Sequence, residues 1–182
     1  MGASELLASI APRAIDGISI NGGSYSIAPL AADVWLDILA QETWSMWEIV
    51  PELIDDMAAE GQLADALIDG TLSNDSYREM VHDIITIAAG RPWWSALRLI
   101  SSAVSEEVGG WTRSQLVLHH IDASKLSLAA WLDALYGIYT QHMDGDKRNS
   151  FDAQLLRPPP GLKAKVDPKA SRARFMAAMG DG

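Results

Sequence analysis

The feature that most constrains the fold is a pair of helical patterns joined by a very short connection. The first pattern spaces its apolar residues as one face of an α-helix does: Tyr77, Met80, Val81, Ile84, Ile85 and Ala88. Ser76 and Glu79 have the spacing of a capping box at its start, and Gly90 suits the left-handed residue that ends it. Pro92 suits the first turn of the next helix, so the two helices should pack as neighbours.

Two adjacent tryptophans open the second of these helices. Its apolar residues are Trp93, Trp94, Leu97, Ile100 and Val104. Neighbouring helical residues point about 100° apart, so Trp93 and Trp94 cannot both be buried against the same element. The pattern leaves two alternatives open: both rings belong to the core, or one of them lines a groove. Three other tryptophans fall on apolar stripes, where core packing is expected: Trp35, Trp47 and Trp131.

Further helical patterns flank this pair. Helices are predicted from Pro29 onward, around Leu63, from about Thr112, from about Ser127 to Met143, and around Phe151. Gly109-Gly110 breaks the pattern, after which Thr112 and Gln115 again have capping-box spacing. Asp144-Gly145-Asp146 lacks the glutamate that a calcium loop needs at its twelfth position, and it is interpreted as a turn between helices.

Two segments depart from helical spacing. Short β alternation on either side of Asn21-Gly22-Gly23 predicts a small β-hairpin, which must pack on the helices or pair with another chain. The prolines at 158–160 favour an extended segment, so the folded domain should stop near Leu156. We therefore predict a mainly α fold of about six to seven helices. It comprises an N-terminal segment with the hairpin (1–30), a compact helical domain (31–156) and a flexible, basic C-terminal tail (157–182).

Charge is distributed unevenly along the chain. Residues 1–75 contain thirteen acidic side chains and one basic side chain, Arg13, whereas residues 157–182 contain six basic and two acidic ones. An acidic body disfavours general affinity for nucleic-acid phosphates. The basic tail has the charge to contact the acidic part of the same chain or an acidic partner.

No pattern in the chain indicates catalysis, a metal site or a cofactor. Cysteine is absent, and neither a phosphate-binding loop nor a nucleophile elbow occurs. His119 and His120 are adjacent, which is poor geometry for sharing one metal ion. Asp55-Asp56 and Glu106-Glu107 are interpreted as solvated helix faces because no apolar pattern surrounds them. We expect a protein without enzymatic activity, metal or cofactor.

The absence of cysteine fits a reducing compartment, for which the cytoplasm is the default. Residues 1–17 lack the basic and apolar regions of a signal peptide, and no run of about 18 apolar residues follows. The sequence therefore predicts neither secretion nor a membrane-spanning segment.

Four features in order carry a resemblance to a known family. They are GRPWWSALRLI at residues 90–100, Trp111, LAAWLDALYGIY at 128–139, and FDAQLLRPPPG at 151–161, followed by the basic tail. In this order the chain resembles the tail assembly chaperones of long-tailed bacteriophages that infect actinobacteria. The strings are structural, with no invariant chemistry among them.

The resemblance implies a non-catalytic assembly factor that acts in the host cytoplasm and is absent from the finished virion. Such chaperones hold the long helical tape measure protein in solution until tail tube subunits polymerise around it. They are often made in two forms, the longer produced by ribosomal frameshifting near the end of the first reading frame. The partners that the resemblance implies for this chain are therefore the tape measure protein, tail tube subunits and a longer form of the same chain.

A tape measure protein exposes apolar helical stripes, which an aromatic groove on a helical domain would cover. We hypothesise that the groove is surrounded by Trp93, Trp94, Leu97, Trp111 and Trp131. Two other classes stay open. One is a virion structural component, such as a head-tail connector or tail terminator subunit, that uses the hairpin for strand addition. The other is a regulatory or adaptor domain whose basic tail recognises an acidic partner.

Overall fold

The structure, a computed structural model, describes residues 10–20, 23–40, 49–50, 53 and 57–162. The fold is mainly α, as predicted, with one antiparallel hairpin near the N-terminus. The strands are β1 (Ile15–Ile20) and β2 (Gly23–Ile27). The α-helices within the described residues are α1 (Ala32–Leu39), α2 (Met57–Ile68), α3 (Asn74–Ala89), α4 (Trp93–Val104), α5 (Gly109–Leu118), α6 (Leu128–Thr140) and α7 (Gly145–Leu156), with a short 3-10 helix (Ala123–Lys125) before α6.

The core forms where α3, α4 and α6 contact one another. The predicted stripe of α3 is buried: Tyr77, Val81 and Ile85 have no exposed surface. Burial raises the pKa of the Tyr77 hydroxyl to about 12, because the charged phenolate would lose its hydration there. Trp35 and Trp131 are each 3% exposed, which confirms the core positions predicted for them. Trp47 lies outside the described residues.

The connection between α3 and α4 has the predicted form. Gly90 is the C-cap of α3 and adopts a left-handed φ of 63°, and its N–H donates to the Ile87 carbonyl. Pro92 directly precedes the first residue of α4. The predicted capping box at Ser76 is wrong, because α3 begins one turn earlier. Ser73 is the N-cap, and its hydroxyl accepts a hydrogen bond from the Ser76 N–H at 3.1 Å.

The start of α5 also differs from the prediction. Gly109 and Gly110 are the first residues of the helix and do not form a break before it, so Thr112 lies inside the helix and is not its N-cap. The Thr112 hydroxyl donates to the Val108 carbonyl one turn earlier at 3.0 Å. The reason for glycine at 109 is a close approach: a Cβ there would lie 2.9 Å from the Ala103 carbonyl oxygen at the end of α4.

The hairpin packs on the helices, which is one of the two alternatives that the sequence left open. β1 contacts α2 and α3, and the paired residues Ile15 and Ile27 are 7% and 0% exposed. Pairing runs from Ile20 opposite Gly23 back to Ile15 opposite Ile27, with one extra residue on β1 between Ile15 and Ile18. The turn residues Asn21 and Gly22 lie outside the described residues.

The C-terminal helices agree with the sequence pattern, except that Gly145 and Asp146, interpreted above as part of a turn, are the first residues of α7. The Ser127 hydroxyl caps α6, and the Asp144 carboxylate caps α7 by accepting from the Lys147 N–H at 2.9 Å. Helix α7 ends at Leu156. The first two of the three prolines that follow, Pro158 and Pro159, are half-buried against the domain. The predicted flexible tail beyond Leu162 falls outside the described residues.

Candidate functional site

An open groove of about 500 Å³ lies between α4, α7 and the proline segment. Its floor and walls are mainly apolar, and its polar contributions come from two serines, a glutamine and an arginine. The lining residues are Trp93, Trp94, Leu97, Arg98, Ser101, Ser102, Phe151, Gln154, Leu155 and Pro159. We call this feature the α4–α7 groove. Three of the five residues predicted to bind a partner line it: Trp93, Trp94 and Leu97.

Arg98 holds the two walls of the groove together. Its Nη1 atom donates to the carbonyl oxygens of Gln154 at 2.5 Å, Leu155 at 3.2 Å and Arg157 at 2.6 Å. The last carbonyls of a helix have no partner within that helix. The guanidinium of α4 therefore satisfies the C-terminus of α7, complements its negative dipole end and fixes the direction in which the chain leaves the helix.

Trp93 is held from the α3 side. Its indole stacks on the His82 ring with centroids 3.8 Å apart and planes 6° apart. The backbone N–H of Trp93 donates to the Thr86 hydroxyl at 3.2 Å, while that hydroxyl donates to the His82 carbonyl at 2.8 Å. Thr86 thus provides an acceptor for a helix-start N–H that has no partner within α4. Trp94 meets Trp93 edge to face, with centroids 5.7 Å apart.

The stack with Trp93 removes part of the His82 ring from water. This burial is the largest influence on the His82 pKa and lowers it, because the imidazolium would lose hydration. The positive charge of Arg78 lowers the His82 pKa further, whereas Asp83 and Glu79 oppose the shift. The neutral ring is therefore the form that fits against Trp93.

Trp94 contributes its apolar ring to the groove, and its indole N–H is not used for hydrogen bonding within the described residues. Its Nε1 atom is buried and has no hydrogen-bond acceptor among the described residues. A buried donor without an acceptor costs about 1–3 kcal/mol, and burial of the large indole must offset this cost. The contribution of Trp94 to the groove is thus shape and apolar area.

A row of aromatic rings leads away from the groove along α5, α6 and α7. Phe151, which lines the groove, meets Tyr139 edge to face at 6.3 Å between centroids, and Tyr139 stacks on Trp111 at 5.9 Å. Thr112 gives its hydroxyl proton to the Val108 carbonyl, so the Tyr139 hydroxyl is the donor in their 3.0 Å contact. Trp111 is 44% exposed at the far end. Trp111 is therefore connected to the groove through Tyr139 and Phe151, and it does not line the groove itself.

Tyr136 attaches α7 to α6 beneath the same rings. Its hydroxyl donates to the Asp152 carboxylate at 2.7 Å, and its ring stacks on Phe151. The Arg148 guanidinium lies over the Tyr136 ring, 5.6 Å from its centroid. Burial, and next the hydrogen bond to Asp152, raise the Tyr136 pKa. The hydroxyl therefore stays protonated and keeps α7 in place.

The fifth predicted binding residue, Trp131, belongs to the core and not to the groove. It is 3% exposed and is part of the main hydrophobic cluster. The physical reason is the direction of its face on α6, which turns toward α3 and α4. A neighbouring residue of the same helix, Asp133, faces outward and forms an ion pair with Arg91.

Sequence reasoning missed the whole α7 wall of the groove. Phe151, Leu155 and Pro159 line it, and Arg98 fixes it, yet none of them was predicted as a site residue. A signal was present in the sequence: the second half of α7 carries three strong apolar residues, Phe151, Leu155 and Leu156, shortly before a proline run. That pattern shows a narrow apolar face but not the helix against which it packs.

The described residues contain neither a candidate metal-binding cluster nor a candidate membrane-spanning helix. Between residues 10 and 162, leaving out the undescribed gaps, no group of three or more His, Cys, Asp or Glu side chains is arranged to hold a metal ion. In that same part of the chain, no helix is long and apolar enough to cross a bilayer.

The chain matches no protein-family model, and no curated protein or solved structure is significantly similar to it.

Proposed function

We propose that this protein is a non-catalytic phage tail assembly chaperone that captures an amphipathic helical segment of the tape measure protein in the α4–α7 groove. The observation that carries the proposal is the groove itself. Two tryptophans and a leucine from α4 face two apolar side chains of α7 across an open surface. Aromatic and apolar grooves of this kind bind the apolar face of a helix.

The rim of the groove suits a chaperone with many similar targets along one long protein. Ser101, Ser102 and Gln154 are uncharged, and the Arg98 guanidinium is engaged by three backbone carbonyls. Selection then depends on apolar spacing in the ligand, with little dependence on its charge. A tape measure protein offers repeated apolar stripes, each of which fits such a site.

The groove is already formed in the free protein. Stacking fixes Trp93, the Arg98 bonds fix the end of α7, and Tyr136 fixes its middle. Tryptophan is enriched among residues that dominate binding energy, and a held side chain loses little conformational entropy on binding. The strongly acidic first 75 residues add like-charge repulsion between loaded complexes, which favours solubility.

Co-expression with the tape measure protein of the same phage tests the proposal. With the native chain, the tape measure protein should move from the insoluble to the soluble fraction and co-purify. The double variant Trp93→Ala, Trp94→Ala should lose this capture while its helical circular dichroism stays unchanged.

A matched control changes exposed apolar residues outside the groove. Ile68 and Val117 are 85% and 70% exposed, so Ile68→Ala with Val117→Ala removes apolar surface without touching the groove. This variant should capture the tape measure protein normally. Equal loss of capture in both variants would show that the groove is not the binding site.

The same preparation addresses the second class of function. Among the described residues β1 and β2 pair only with each other, and an open strand edge of this kind is where a neighbouring subunit adds a strand. A chain that assembles into rings of fixed size and leaves the tape measure protein insoluble would be a connector or terminator subunit, and the chaperone proposal would then be wrong.

A further inference from the structure

We infer that the Trp94 indole N–H donates a hydrogen bond to the helix that binds in the α4–α7 groove. The acceptor is a side-chain oxygen, from glutamine or glutamate, beside the apolar stripe of that helix. This inference rests on the proposed function and deepens it, because it names a polar requirement of the ligand. Three observations support it: the unpaired donor of Trp94, the neighbouring guanidinium of Arg98 and the local charge balance.

Trp94 lines the groove with a donor that the free protein does not use. Its ring is part of the groove surface, but its Nε1 atom is buried and has no acceptor among the described residues. Most buried side-chain donors in proteins are hydrogen-bonded, so an unpaired one at a binding surface requires an explanation. A ligand that supplies the acceptor removes the cost of leaving this N–H unpaired.

The indole of Trp94 is able to present its donor to a ligand. Nε1 is covered in the free protein, so the ring must rotate about its Cβ–Cγ bond before the atom reaches the groove opening. Energy minima for that torsion are broad. Within the described part of the chain, Trp93 packs against the main hydrophobic cluster, whereas Trp94 is not part of that packing. The rotation therefore does not require the core to move.

Arg98 places further donors one turn away on the same face of α4. Trp94 and Arg98 are four positions apart, a spacing at which helical side chains are neighbours. All the bonds that Arg98 gives to α7 come from Nη1. Its Nε and Nη2 atoms have no hydrogen bond to a described residue and are not among the buried unpaired donors, so water reaches them. An oxygen acceptor is the ligand group that matches this set of donors.

The charge balance near the groove is compatible with an amide or a carboxylate. Residues 90–162, which include both walls, carry seven basic and seven acidic side chains, whereas residues 1–89 carry two basic and 15 acidic ones. Exposed charges further apart than about 8 Å are largely screened at physiological salt. The acidic net charge of the chain therefore does not prevent one carboxylate from binding beside Arg98, the only charged lining residue.

The acceptor determines how a helix is aligned in the groove. Apolar residues that recur every three or four positions allow a ligand helix to bind in several alignments, which differ by one turn. A single donor at Trp94 favours the alignment in which the ligand acceptor lies opposite it. The apolar stripe thus decides which helices bind, and the acceptor decides where along the groove each one is fixed.

Synthetic amphipathic peptides test the inference on the full-length chain. Each peptide has about 18 residues, enough for five helical turns, and carries a leucine stripe at helical spacing. Balanced glutamate and lysine occupy the positions opposite the stripe. One variable residue is moved along the edge of the stripe from peptide to peptide, and it is either glutamine or methionine, which lacks a strong acceptor. Calorimetric titration gives the Kd of every peptide for the native chain, Trp94→Phe and Trp93→Phe.

A preference for glutamine that depends on Trp94 is the expected result. At the variable position that lies opposite Trp94, the preference for glutamine over methionine should be about threefold to tenfold larger in the native chain than in Trp94→Phe. Trp93→Phe is the matched control, because it also replaces an indole of the groove by a phenyl ring, and it should keep the native preference. Equal preferences in the native chain and in Trp94→Phe at every position would overturn the inference.

Nitrogen-15 NMR spectra of the native chain give a second readout that does not require a variant to be stable. The indole proton signal of Trp94, assigned by its absence in Trp94→Phe, should move to lower field when the glutamine peptide binds. It should move less with the methionine peptide. A Trp94 signal that responds equally to both peptides would contradict the proposed bond.

Glutamate at the same position distinguishes the two kinds of acceptor. It should bind at most about threefold more tightly than glutamine, because Nη1 of Arg98 is already engaged by α7 and the groove is open to water. A strong preference for glutamate that persists in Trp94→Phe would assign the acceptor to Arg98 alone, and the role given to Trp94 would be wrong.

This inference and the proposed function fail in different ways. If no peptide binds, the groove does not take helices and both are wrong. If peptides bind and the tape measure protein is captured, but the glutamine preference is independent of Trp94, only the inference is wrong. If the preference depends on Trp94 while the tape measure protein stays insoluble, the inference holds and the client named above is wrong.

Discussion

The two faces of α4 can be compared directly because they share one backbone. On one face, Ala96, Leu99 and Ile100 are at most 1% exposed and pack against α3 and α6. On the other, Trp93, Trp94 and Leu97 are larger on average and only partly buried. The buried face uses small and medium side chains that fill space between close helices. The groove face uses large rings that leave space open.

This difference indicates that the residues that stabilise the fold and the residues proposed to bind a ligand lie on different faces of α4. Burial of the core face is complete before any ligand arrives, so changes there act on folding. The groove face packs in part against the core but retains exposed apolar area, so changes there should cost less stability and should act on the binding proposed above. Arg98 is the exception: it lies on the groove side but holds α7 to the domain. Variants of the two faces and of Arg98 test this separation.

The largest effect is expected on the core side. Trp131→Ala removes a ring that is 3% exposed, and the cavity should lower the free energy of unfolding by about 3–5 kcal/mol. Trp111→Ala is the matched control, because that ring is 44% exposed and should cost much less. Urea denaturation followed by circular dichroism measures both. Similar losses in the two variants would contradict the assignment of Trp131 to the core.

An intermediate effect is expected at Arg98. Arg98→Ala leaves the last carbonyls of α7 without their donor and should lower the free energy of unfolding by about 1–2 kcal/mol, since the site is partly exposed to water. Arg98→Lys should recover part of this, because all three bonds come from the single nitrogen Nη1 and an ammonium carries three donors on one nitrogen.

Hydrogen exchange locates this effect. In Arg98→Ala, the amides of α7 should exchange faster while those of α3 keep their protection. Equal acceleration in both helices would mean that Arg98 supports the whole domain, and the separation of the two faces would then fail at this residue.

The smallest effect is the pH dependence of stability that comes from His82, whose ring stacks on Trp93. Stacking and burial lower the His82 pKa in the folded chain, whereas an unfolded histidine titrates near about 6.5. Protonation therefore favours the unfolded state. The stabilisation by neutral His82 is fully present above about pH 6.5 and is lost as the pH falls from there through the folded-state pKa.

Two measurements check this sign. The NMR titration of His82 should give a pKa below that of a histidine in an unstructured reference peptide. Denaturation of the native chain and of His82→Gln should show a smaller loss of stability on acidification in the variant. An identical loss in both would show that His82 is not the group responsible for the pH dependence.

The local parts of the fold were predictable because their determinants are local. The stripe from Tyr77 to Ala88 follows from helical periodicity, and the end at Gly90 follows from its freedom to adopt a positive φ. The two predicted capping boxes failed because residues three apart also face each other inside a helix, so spacing alone does not show where a helix starts. At Ser76 the true cap lies one turn earlier, and at Thr112 the helix already runs from Gly109.

Of the two walls of the groove, only the α4 wall was predictable from the sequence. Adjacency of Trp93 and Trp94 left open whether both rings belong to the core or one lines a groove; in the structure both are partly buried and line the same groove with Leu97. The second wall depends on how α7 docks, which is set by contacts between Arg98 and carbonyls more than fifty residues away. Trp131 was assigned to the groove from its neighbourhood in the sequence, but the direction of α6 places it in the core.

The sequence separation between Arg98 and the carbonyls that it binds also determines when the groove forms during translation. The bonded carbonyls lie 56 to 59 positions later in the chain, so on a ribosome α4 emerges well before the residues that complete its groove. Translation proceeds from the N-terminus at about 5–20 residues per second, which separates the two events by several seconds. A nascent chain therefore lacks the complete α4–α7 groove until α7 has been made.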